Sequence, residues 1–244
     1  DSDDVTLTFT ISSDASPGSS SGIIINLNSE SSYSRSEVLE LVIGEPQAIF
    51  FDDFENGMDN WQLNGDWGLT EDAFSGLYAL TDSPDGNYQE AQETIAQLTT
   101  DINFQFVSNP FVKFNAKWDI EPNYDFIRFQ ALIADSGWIT LSGEYTEAGS
   151  GQPAQPFGEH GYHDLQEDWV EETIYLDYLG GFDIEGFRFI QTSDNYVEGD
   201  GFSIDNFQIL GYPFGMMGDF NSDAAVDIYD ILGLADLLLF GNDP

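Results

Sequence analysis

The apolar positions of this 244-residue chain fall into many short runs, and polar loops separate them. The runs are rich in β-branched and aromatic residues, and the loops are rich in Asp, Gly, Asn, Pro and Ser, which is typical of strands joined by turns. A helical period occurs only weakly in the central part of the chain, near Gln89–Leu98. The pattern predicts strands at Val5–Ile11, Gly22–Leu27, Val38–Ile43, Gln47–Phe51, Phe111–Trp118, Phe126–Ile133, Trp138–Leu141, Val170–Leu176, Ile184–Gln191 and Gly201–Leu210.

Composition separates the chain into three zones. Residues 1–46 hold three apolar runs between Ser-rich stretches, residues 47–212 hold the other predicted strands, and residues 213–244 change to a polar loop followed by a helical pattern. Many strands with long polar loops predict a mainly β protein, an antiparallel jelly-roll β-sandwich, over residues 47–212. Three strands are marginal alone, so residues 1–46 are expected to be a partial domain.

The last zone carries a candidate calcium loop. Oxygen ligands at positions 1, 3, 5, 7, 9 and 12 of such a loop, followed by a helix, surround one calcium ion. Ala224 stands at position 6, where Gly is usual, and an aspartate replaces the usual Glu at position 12. The predicted ligands are Asp219, Asn221, Asp223, the backbone carbonyl of Ala225, Asp227 and Asp230. The alternative is an acidic turn that caps the following helix.

Gly218–Leu239 resembles a single type I dockerin repeat, in which an aspartate also occupies position 12. The helix after the loop spans Val226–Phe240, with apolar residues three and four positions apart on one face. A complete dockerin has two repeats, so the resemblance implies half a module and names a cohesin-like protein as a possible class of partner.

Charge narrows the classes of partner. The chain has 5 Lys and Arg against 45 Asp and Glu, a formal net charge of -40, and it has no cysteine. A field this negative argues against nucleic acid and against an anionic membrane surface as partners, and it favours calcium. Membrane insertion is not expected, because no apolar run is long enough for it. The lack of cysteine excludes disulfides and thiolate zinc sites. With no apolar run near the ~20 residues of a membrane span and no signal peptide, a mature, secreted protein is expected.

The central zone carries a series of aromatic, acidic and glycine motifs. In chain order they are Phe51–Gly57 with Trp61 and Gly65, Trp67–Thr70, Thr81–Tyr88, Trp118–Glu121, Tyr124–Phe126 and Gly201–Asn206. In this order they resemble the motifs of the MAM-like jelly-roll accessory domains of secreted bacterial zinc carboxypeptidases and immune-inhibitor-type metallopeptidases. The resemblance covers about residues 47–210 and implies a non-catalytic β-sandwich with structural metal, preceded by the end of an immunoglobulin-like domain in residues 1–46.

Two sets of acidic residues in the central zone are candidate metal sites. Asp205 shares strand parity with Phe207 and Ile209, which predicts that it points toward an apolar face, where a bare carboxylate is costly. The resemblance implies that Glu55 and Asp205 meet at a metal, with Asp53 as a helper. The alternative is that backbone amides satisfy them. A second acidic cluster, in a loop between strands, is either another cation site or a solvated turn; its members are Asp119, Glu121 and Asp125.

Four of the five basic residues lie in strands, on the side opposite the apolar positions. They are Lys113, Lys117, Arg128 and Arg188. In so acidic a chain we expect them to pair with carboxylates, and the alternative is a groove for an anionic glycan. The tryptophans are expected in the core or at its rim, although Trp138 and Trp169 could stack on sugar rings on a concave sheet face.

Catalysis finds little support in the sequence. The two histidines, His160 and His163, lie in a Gly- and Pro-rich segment without a His-Glu-x-x-His motif, and a surface position is expected for them. We therefore predict a non-catalytic, calcium-stabilised attachment module of a larger secreted protein, such as a peptidase. The alternatives are a subunit of an extracellular filament, joined head to tail with copies of itself, and a module that binds a surface polysaccharide.

Overall fold

The computed structural model describes residue 10, residues 20–28, 34–104, 107–180 and 183–213, and residue 228. The chain divides into two compact units, of which the larger comprises residues 48–104 and 109–211. The described strands are β1 Ser20–Asn28, β2 Ser34–Val42, β3 Gln47–Asp52, β4 Trp61–Asn64, β5 Gly68–Thr70, β6 Ala79–Thr81, β7 Glu93–Leu98, β8 Val107–Ile120, β9 Phe126–Ile133, β10 Gly137–Thr140, β11 Glu147–Ala148, β12 His160–Gly161, β13 Asp164–Tyr175, β14 Ile184–Thr192 and β15 Gly201–Pro213. A short 3-10 helix spans Asp177–Leu179.

Strands β1 and β2 form an antiparallel hairpin in the smaller unit. Ser20 pairs with Val42 at one end of this ladder and Asn28 pairs with Ser34 at the other. The two corresponding predicted strands are confirmed, whereas the predicted strand Val5–Ile11 lies outside the described residues. The immunoglobulin-like assignment of residues 1–46 stays a prediction.

The larger unit is a sandwich of two antiparallel sheets. One sheet has five strands in the order β10-β9-β14-β7-β4, and the other has six in the order β13-β8-β15-β6-β5, with β3 also paired to β15. Successive strands cross between the two sheets, as β7, β8, β9, β13, β14 and β15 do in turn, and this alternation defines a jelly-roll. The predicted fold class is confirmed for the described residues.

Phenylalanines from both sheets fill the space between them. Phe129 and Phe189 come from the five-stranded sheet, Phe114 and Phe207 come from the six-stranded sheet, and all four are fully buried. The rings of Phe114 and Phe189 meet edge to face with centroids 5.3 Å apart. Such pairs contribute about 0.5–1.5 kcal/mol beyond the burial of their area. Because alternate residues along β9 and β14 fill this core, the residues between them face outward.

The helical stretch predicted near Gln89–Leu98 is wrong, because Glu93–Leu98 forms strand β7. Thr94, Ala96 and Leu98 are buried at alternate positions, and the strand is paired with β14 on one side and with β4 on the other. Ala96 and Leu98 at the core positions favour a helix as much as a strand, so pairing on both sides decides the conformation.

Residues 214–244 are described only at Ile228. The predicted calcium loop, with its ligands Asp219 to Asp230, and the helix that follows it lie outside the described residues. Among the described residues, no helix is long and apolar enough to span a membrane.

Candidate functional site

A line of polar side chains crosses the outer face of the five-stranded sheet. The register places Arg188 of β14 opposite Gln130 of β9 and opposite Gln97 of β7. Gln130 in turn pairs with Thr140 of β10, and Gln97 pairs with Gln62 of β4. Side chains at paired positions lie on the same face of a sheet. We call these five residues, one on each strand of the sheet, the polar row.

Trp138 lies beside the polar row on the edge strand β10. The guanidinium carbon of Arg188 lies 4.2 Å from the centre of the Trp138 ring, at cation–π distance. The Nε of Arg188 donates a hydrogen bond of 2.8 Å to the side-chain oxygen of Gln130, whose amide nitrogen donates to the Thr140 hydroxyl at 3.1 Å. These contacts hold the guanidinium in one orientation beside a partly exposed aromatic ring.

The four strand cations fall on different sheets and have different partners. On the six-stranded sheet, Lys113 forms an ion pair of 2.5 Å with Glu171, and Lys117 forms one with Asp72. For these lysines the predicted charge pairing is confirmed. On the five-stranded sheet, no carboxylate of the described residues lies within 4.0 Å of Arg128 or Arg188. Within the described part of the chain the predicted ion pairs are therefore not found for the two arginines, although the charges of Glu93 and Glu159 act on them.

Arg128 and Arg188, called here the arginine pair, are partly withdrawn from water. Arg128 lies opposite Ile190, diagonal to Arg188 on the same face of the sheet. Burial lowers the pKa of both guanidiniums, while the nearby charge of Glu93 opposes that shift at both and Glu159 opposes it at Arg128. The Nε of Arg128 is buried and has no hydrogen-bond partner among the described residues.

A loop folds over one end of this face. The Thr192 hydroxyl at the end of β14 donates a hydrogen bond of 2.7 Å to the carbonyl of Ala154, and the Gln155 side chain donates one of 2.7 Å to the carbonyl of Asp125. Phe157 follows at the surface of this loop with 89% of its area exposed. The loop therefore borders the outer face of the sheet with an exposed aromatic ring.

Trp169 lies on the other side of the sandwich. It contacts Lys117 of β8, with the ammonium 5.4 Å from the ring centre, and its ring meets that of Phe74 edge to face at 6.2 Å. A cavity of about 250 Å³ lies beside Lys117 on this sheet. The hypothesis that Trp138 and Trp169 share one sheet face is therefore wrong, because they lie on opposite sheets. Trp61, Trp67 and Trp118 are buried, as predicted.

Three carboxylates meet at one end of the sandwich, and we call them the carboxylate cluster. Glu121 follows β8, Asp125 precedes β9 and Asp194 follows β14, and one oxygen of each lies within 4.8 Å of the other two. Asp125 is fully buried, whereas Glu121 and Asp194 are partly buried. Of the loop carboxylates predicted from sequence, Glu121 and Asp125 come together, whereas Asp119 is exposed and outside the cluster.

Hydrogen bonds position the carboxylate cluster. Asp125 accepts the Tyr88 hydroxyl proton at 2.7 Å and the backbone N–H of Asp194 at 2.7 Å. The Tyr88 oxygen accepts the backbone N–H of Glu121 at 3.1 Å. One carboxylate oxygen of Glu121 is buried and has no hydrogen-bond partner among the described residues. Two oxygens bound to one calcium ion lie up to about 5 Å apart, so the donor set fits that ion.

Burial and mutual repulsion disfavour the ionised form of this cluster. Desolvation raises the pKa of Glu121, and the charges of Asp125 and Asp194 raise it further. Desolvation also raises the pKa of Asp125 and outweighs its hydrogen bonds to Tyr88 and Asp194. A cation placed among these groups would favour their ionised form.

Glu55 and Asp205 do converge, on one loop. Glu55 accepts the backbone N–H groups of Leu77 and Tyr78 at 2.7 and 2.9 Å, and Asp205 accepts that of Ser75 at 2.9 Å. Burial raises the pKa of Asp205, and Glu55 adds to the rise. Backbone amides thus satisfy these carboxylates, as the alternative expected, and a metal between them stays a prediction. Asp53 only accepts the N–H of Glu55, at 3.3 Å, in a local turn.

The parity argument for Asp205 is wrong, although the residue is fully buried. Phe202 and Ile204 are buried at even positions of β15 and Phe207 and Ile209 at odd positions, so the alternation breaks between them. Asn206, with a φ of 49°, lies at this break, as in a β-bulge. The loop that contains Ser75 covers the carboxylate of Asp205.

The histidines are less exposed than predicted. His160 is in the short strand β12, and the side chain of His163 is 9% exposed, with its ring 5.9 Å from that of Phe126. The expectation of a surface position is wrong, because the loop that carries them packs against the start of β9.

The fold and these sites together define a jelly-roll β-sandwich with a polar outer sheet face and an acidic cluster at one end. No family model and no curated protein matches the chain. Among solved structures, 35 chains are similar to it.

One is the CBM22-1 xylan-binding domain of Paenibacillus barcinonensis Xyn10C, at 15% identity over 72% of this chain and 100% of that chain, with a TM-score of 0.43. A family 16 carbohydrate-binding module matches at 12% identity over 67% and 99%, with a TM-score of 0.41. The mannan-recognising module TmCBM27 matches at 14% identity over 69% and 99%, with a TM-score of 0.38. At these identities and TM-scores the similarities carry no argument about the ligand of this chain.

Proposed function

We propose that this chain is a non-catalytic binding module that takes a glycan on the outer face of its five-stranded sheet. The observation that carries the proposal is the polar row beside Trp138. Its partly exposed centre consists of the amide of Gln97 and the guanidinium of Arg188, which are planar and offer hydrogen-bond groups side by side, while buried Gln130 holds Arg188 in place. Neighbouring sugar hydroxyls match such groups, and an aromatic ring beside them suits the apolar face of a sugar ring.

The length and setting of the polar row also support a chain-like ligand. The row runs across five strands, and neighbouring strands are about 4.8 Å apart, so it extends over about 19 Å. A row of this length could contact several successive sugar rings. Its members are exposed to different degrees, from buried Gln130 to exposed Gln62, so the row forms a surface rather than a closed pocket.

Substitution of Trp138 tests whether the outer sheet face binds a glycan or only contributes to the stability of the fold. Trp138→Ala is expected to weaken retention on the bound polysaccharide roughly 30-fold, because a tryptophan that packs directly on a ligand contributes about 2 kcal/mol. Trp169→Ala is the matched control, since Trp169 lies on the other sheet. Affinity electrophoresis against a panel of neutral and acidic polysaccharides provides the readout. Equal retention of both variants, or loss only with Trp169→Ala, would contradict the proposal.

We further propose that calcium stabilises this module at the carboxylate cluster. Glu121, Asp125 and Asp194 would hold the ion, which would neutralise their charge and tie the β8–β9 connection to the β14–β15 connection at one end of the sandwich. The support is the buried oxygen of Glu121, which has no hydrogen-bond partner in the described part of the chain. Attachment within a larger secreted protein, and the dockerin-like loop at residues 219–230, stay part of the proposal.

Calcium is expected to raise the midpoint of thermal unfolding by about 5–10 °C when its concentration is near 100 times the dissociation constant, which corresponds to about 2.7 kcal/mol. The rise should be larger near pH 8 than near pH 5. Because the folded-state pKa values of Glu121 and Asp125 are raised, protons stabilise the cluster at low pH and calcium replaces them at high pH.

The predicted loop at residues 219–230 would also respond to calcium, so variants are needed to assign the effect. Glu121→Gln should remove most of the rise, whereas Asp119→Asn changes the charge equally on an exposed neighbour and should preserve it. Differential scanning calorimetry in calcium and in chelator measures both variants. The same rise in both would place the responding site elsewhere.

A further inference from the structure

The charges on the outer face of the five-stranded sheet are distributed unlike those on the rest of the chain. The whole sequence has nine acids for every base, with 45 against 5, yet the arginine pair lacks an ion pair within 4.0 Å among the described residues. The lysines on the opposite sheet do have such pairs. Chance contacts alone would favour acidic neighbours for any exposed cation in so acidic a chain.

Holding these two guanidiniums side by side costs free energy. Their strand positions are diagonal neighbours, about 7–8 Å apart in the backbone, and each repels the other. Partial burial removes water that would screen this repulsion. Glu93 and Glu159 supply attraction from a distance without binding either guanidinium. An anion bound between or above the two arginines would offset both costs.

We infer that the glycan bound on this face carries carboxylate groups, and that Arg188, together with Arg128, recognises them. This inference rests on the proposed glycan-binding function and specifies the class of ligand. Arg188 is held by Trp138 and by Gln130 through its Nε, which directs its remaining N–H donors away from these two contacts. A guanidinium oriented in this way matches a carboxylate with two parallel hydrogen bonds, a geometry that lysine cannot supply.

The net charge of -40 does not prevent this recognition in physiological salt. The Debye length is about 8 Å at 0.15 M ionic strength, so the charges of distant carboxylates are largely screened at the arginine pair. Partly buried charges are screened much less from a ligand in direct contact. Higher salt should therefore weaken the long-range repulsion of a polyuronate more than it weakens the contact itself.

A polyuronate and its carboxyl-reduced counterpart form a matched pair of probes, because they share one backbone and differ only in charge. Hyaluronan and homogalacturonan, each with its reduced form, are titrated against the chain by calorimetry near 0.15 M ionic strength. Sodium is the counterion, so that calcium does not bridge protein and polymer, and thermal unfolding verifies that the chain is folded. At least one acidic polymer is expected to bind about 10- to 100-fold more tightly than its neutral form.

Arg188→Gln and Arg128→Gln should reduce that preference to within about threefold, and Arg188→Lys should retain only part of it. Lys113→Gln changes the net charge equally on the other sheet and should leave the preference unchanged. Equal binding of acidic and neutral forms would overturn the inference and leave the proposed function standing. Binding of no polysaccharide in the panel would overturn both. An acidic preference that survives both arginine variants would also overturn the inference.

Discussion

Asp82→Asn is expected to raise the free energy of unfolding by as much as ~4 kcal/mol near pH 8. Asp82 is 1% exposed, directly after β6, and burial raises its pKa to about 7, with a smaller contribution from the charge of Asp200. One carboxylate oxygen accepts the backbone N–H of Phe202 at 2.8 Å, while the other is buried and has no partner among the described residues. Ionisation of this group in the folded state is therefore costly.

The sign of the effect follows from linkage. The folded-state pKa lies above the unfolded value of 3.8, so the folded chain binds a proton more tightly and the wild-type protein loses stability as pH rises from about 4 to about 7. An asparagine keeps an oxygen for Phe202 and does not ionise, so this loss should disappear in Asp82→Asn.

Urea unfolding in chelator at several pH values measures the effect of Asp82→Asn. Asp85→Asn is the matched control, because it removes the same charge from an exposed residue three positions along the chain. Its stability should change by less than about 0.5 kcal/mol at every pH. If the two variants show the same pH dependence as the wild type, Asp82 is not the group responsible.

Glu172→Ala is expected to destabilise the sandwich by about 3–5 kcal/mol. Glu172 is fully buried on the core side of β13, opposite Phe114 of β8. Burial raises the pKa of Glu172, and this effect outweighs the hydrogen bonds to its carboxylate, which lower the pKa. These come from the Tyr162 hydroxyl at 3.0 Å and from the backbone N–H groups of Glu144 at 2.7 Å, Tyr145 at 3.0 Å and Thr173 at 2.7 Å. Truncation leaves these donors without their acceptor.

The neighbouring Glu171 provides the control for Glu172. Glu171 is exposed and pairs with Lys113, so Glu171→Ala should cost no more than about 1 kcal/mol. Glu172→Gln should lie between the two, because its amide keeps one acceptor oxygen. Chemical unfolding of the three variants at one pH gives the comparison. Equal losses for Glu171→Ala and Glu172→Ala would show that the buried hydrogen bonds contribute little.

Alternation along single strands predicted which residues face away from the core, including Arg128 and Arg188. It did not predict which residues stand side by side, because the register between strands is set by turns and by packing over the whole sheet. The pairing of Arg188 with Gln130 and Gln97, and thus the polar row, became visible only in the sheet. Similarly, the local sequence does not indicate that Trp138 and Trp169 lie on different sheets.

The carboxylate cluster was likewise predicted in part from the sequence and completed only by the fold. Glu121 and Asp125 lie in one loop, so their proximity follows from the sequence. Asp194 follows β14, some 70 residues later, and only the folded sandwich brings it close to them. The bulge at Asn206 also escaped prediction, because one positive φ shifts the parity of every later residue in the strand. The dockerin-like loop lies outside the described residues, and both it and the filament hypothesis stay predictions.

By itself, the sequence determined the longest strands of the sandwich, the jelly-roll class and the acidic character of this protein, because these depend on local alternation and on composition. It did not predict the shorter strands β4 to β7, β11 and β12. The tertiary structure alone decided which distant carboxylates share a site, which acids pair with the two lysines, and which arginine lies beside a tryptophan and an amide. Those relations join residues that are far apart in the chain, and strand register and loop packing bring them together only when both sheets have formed.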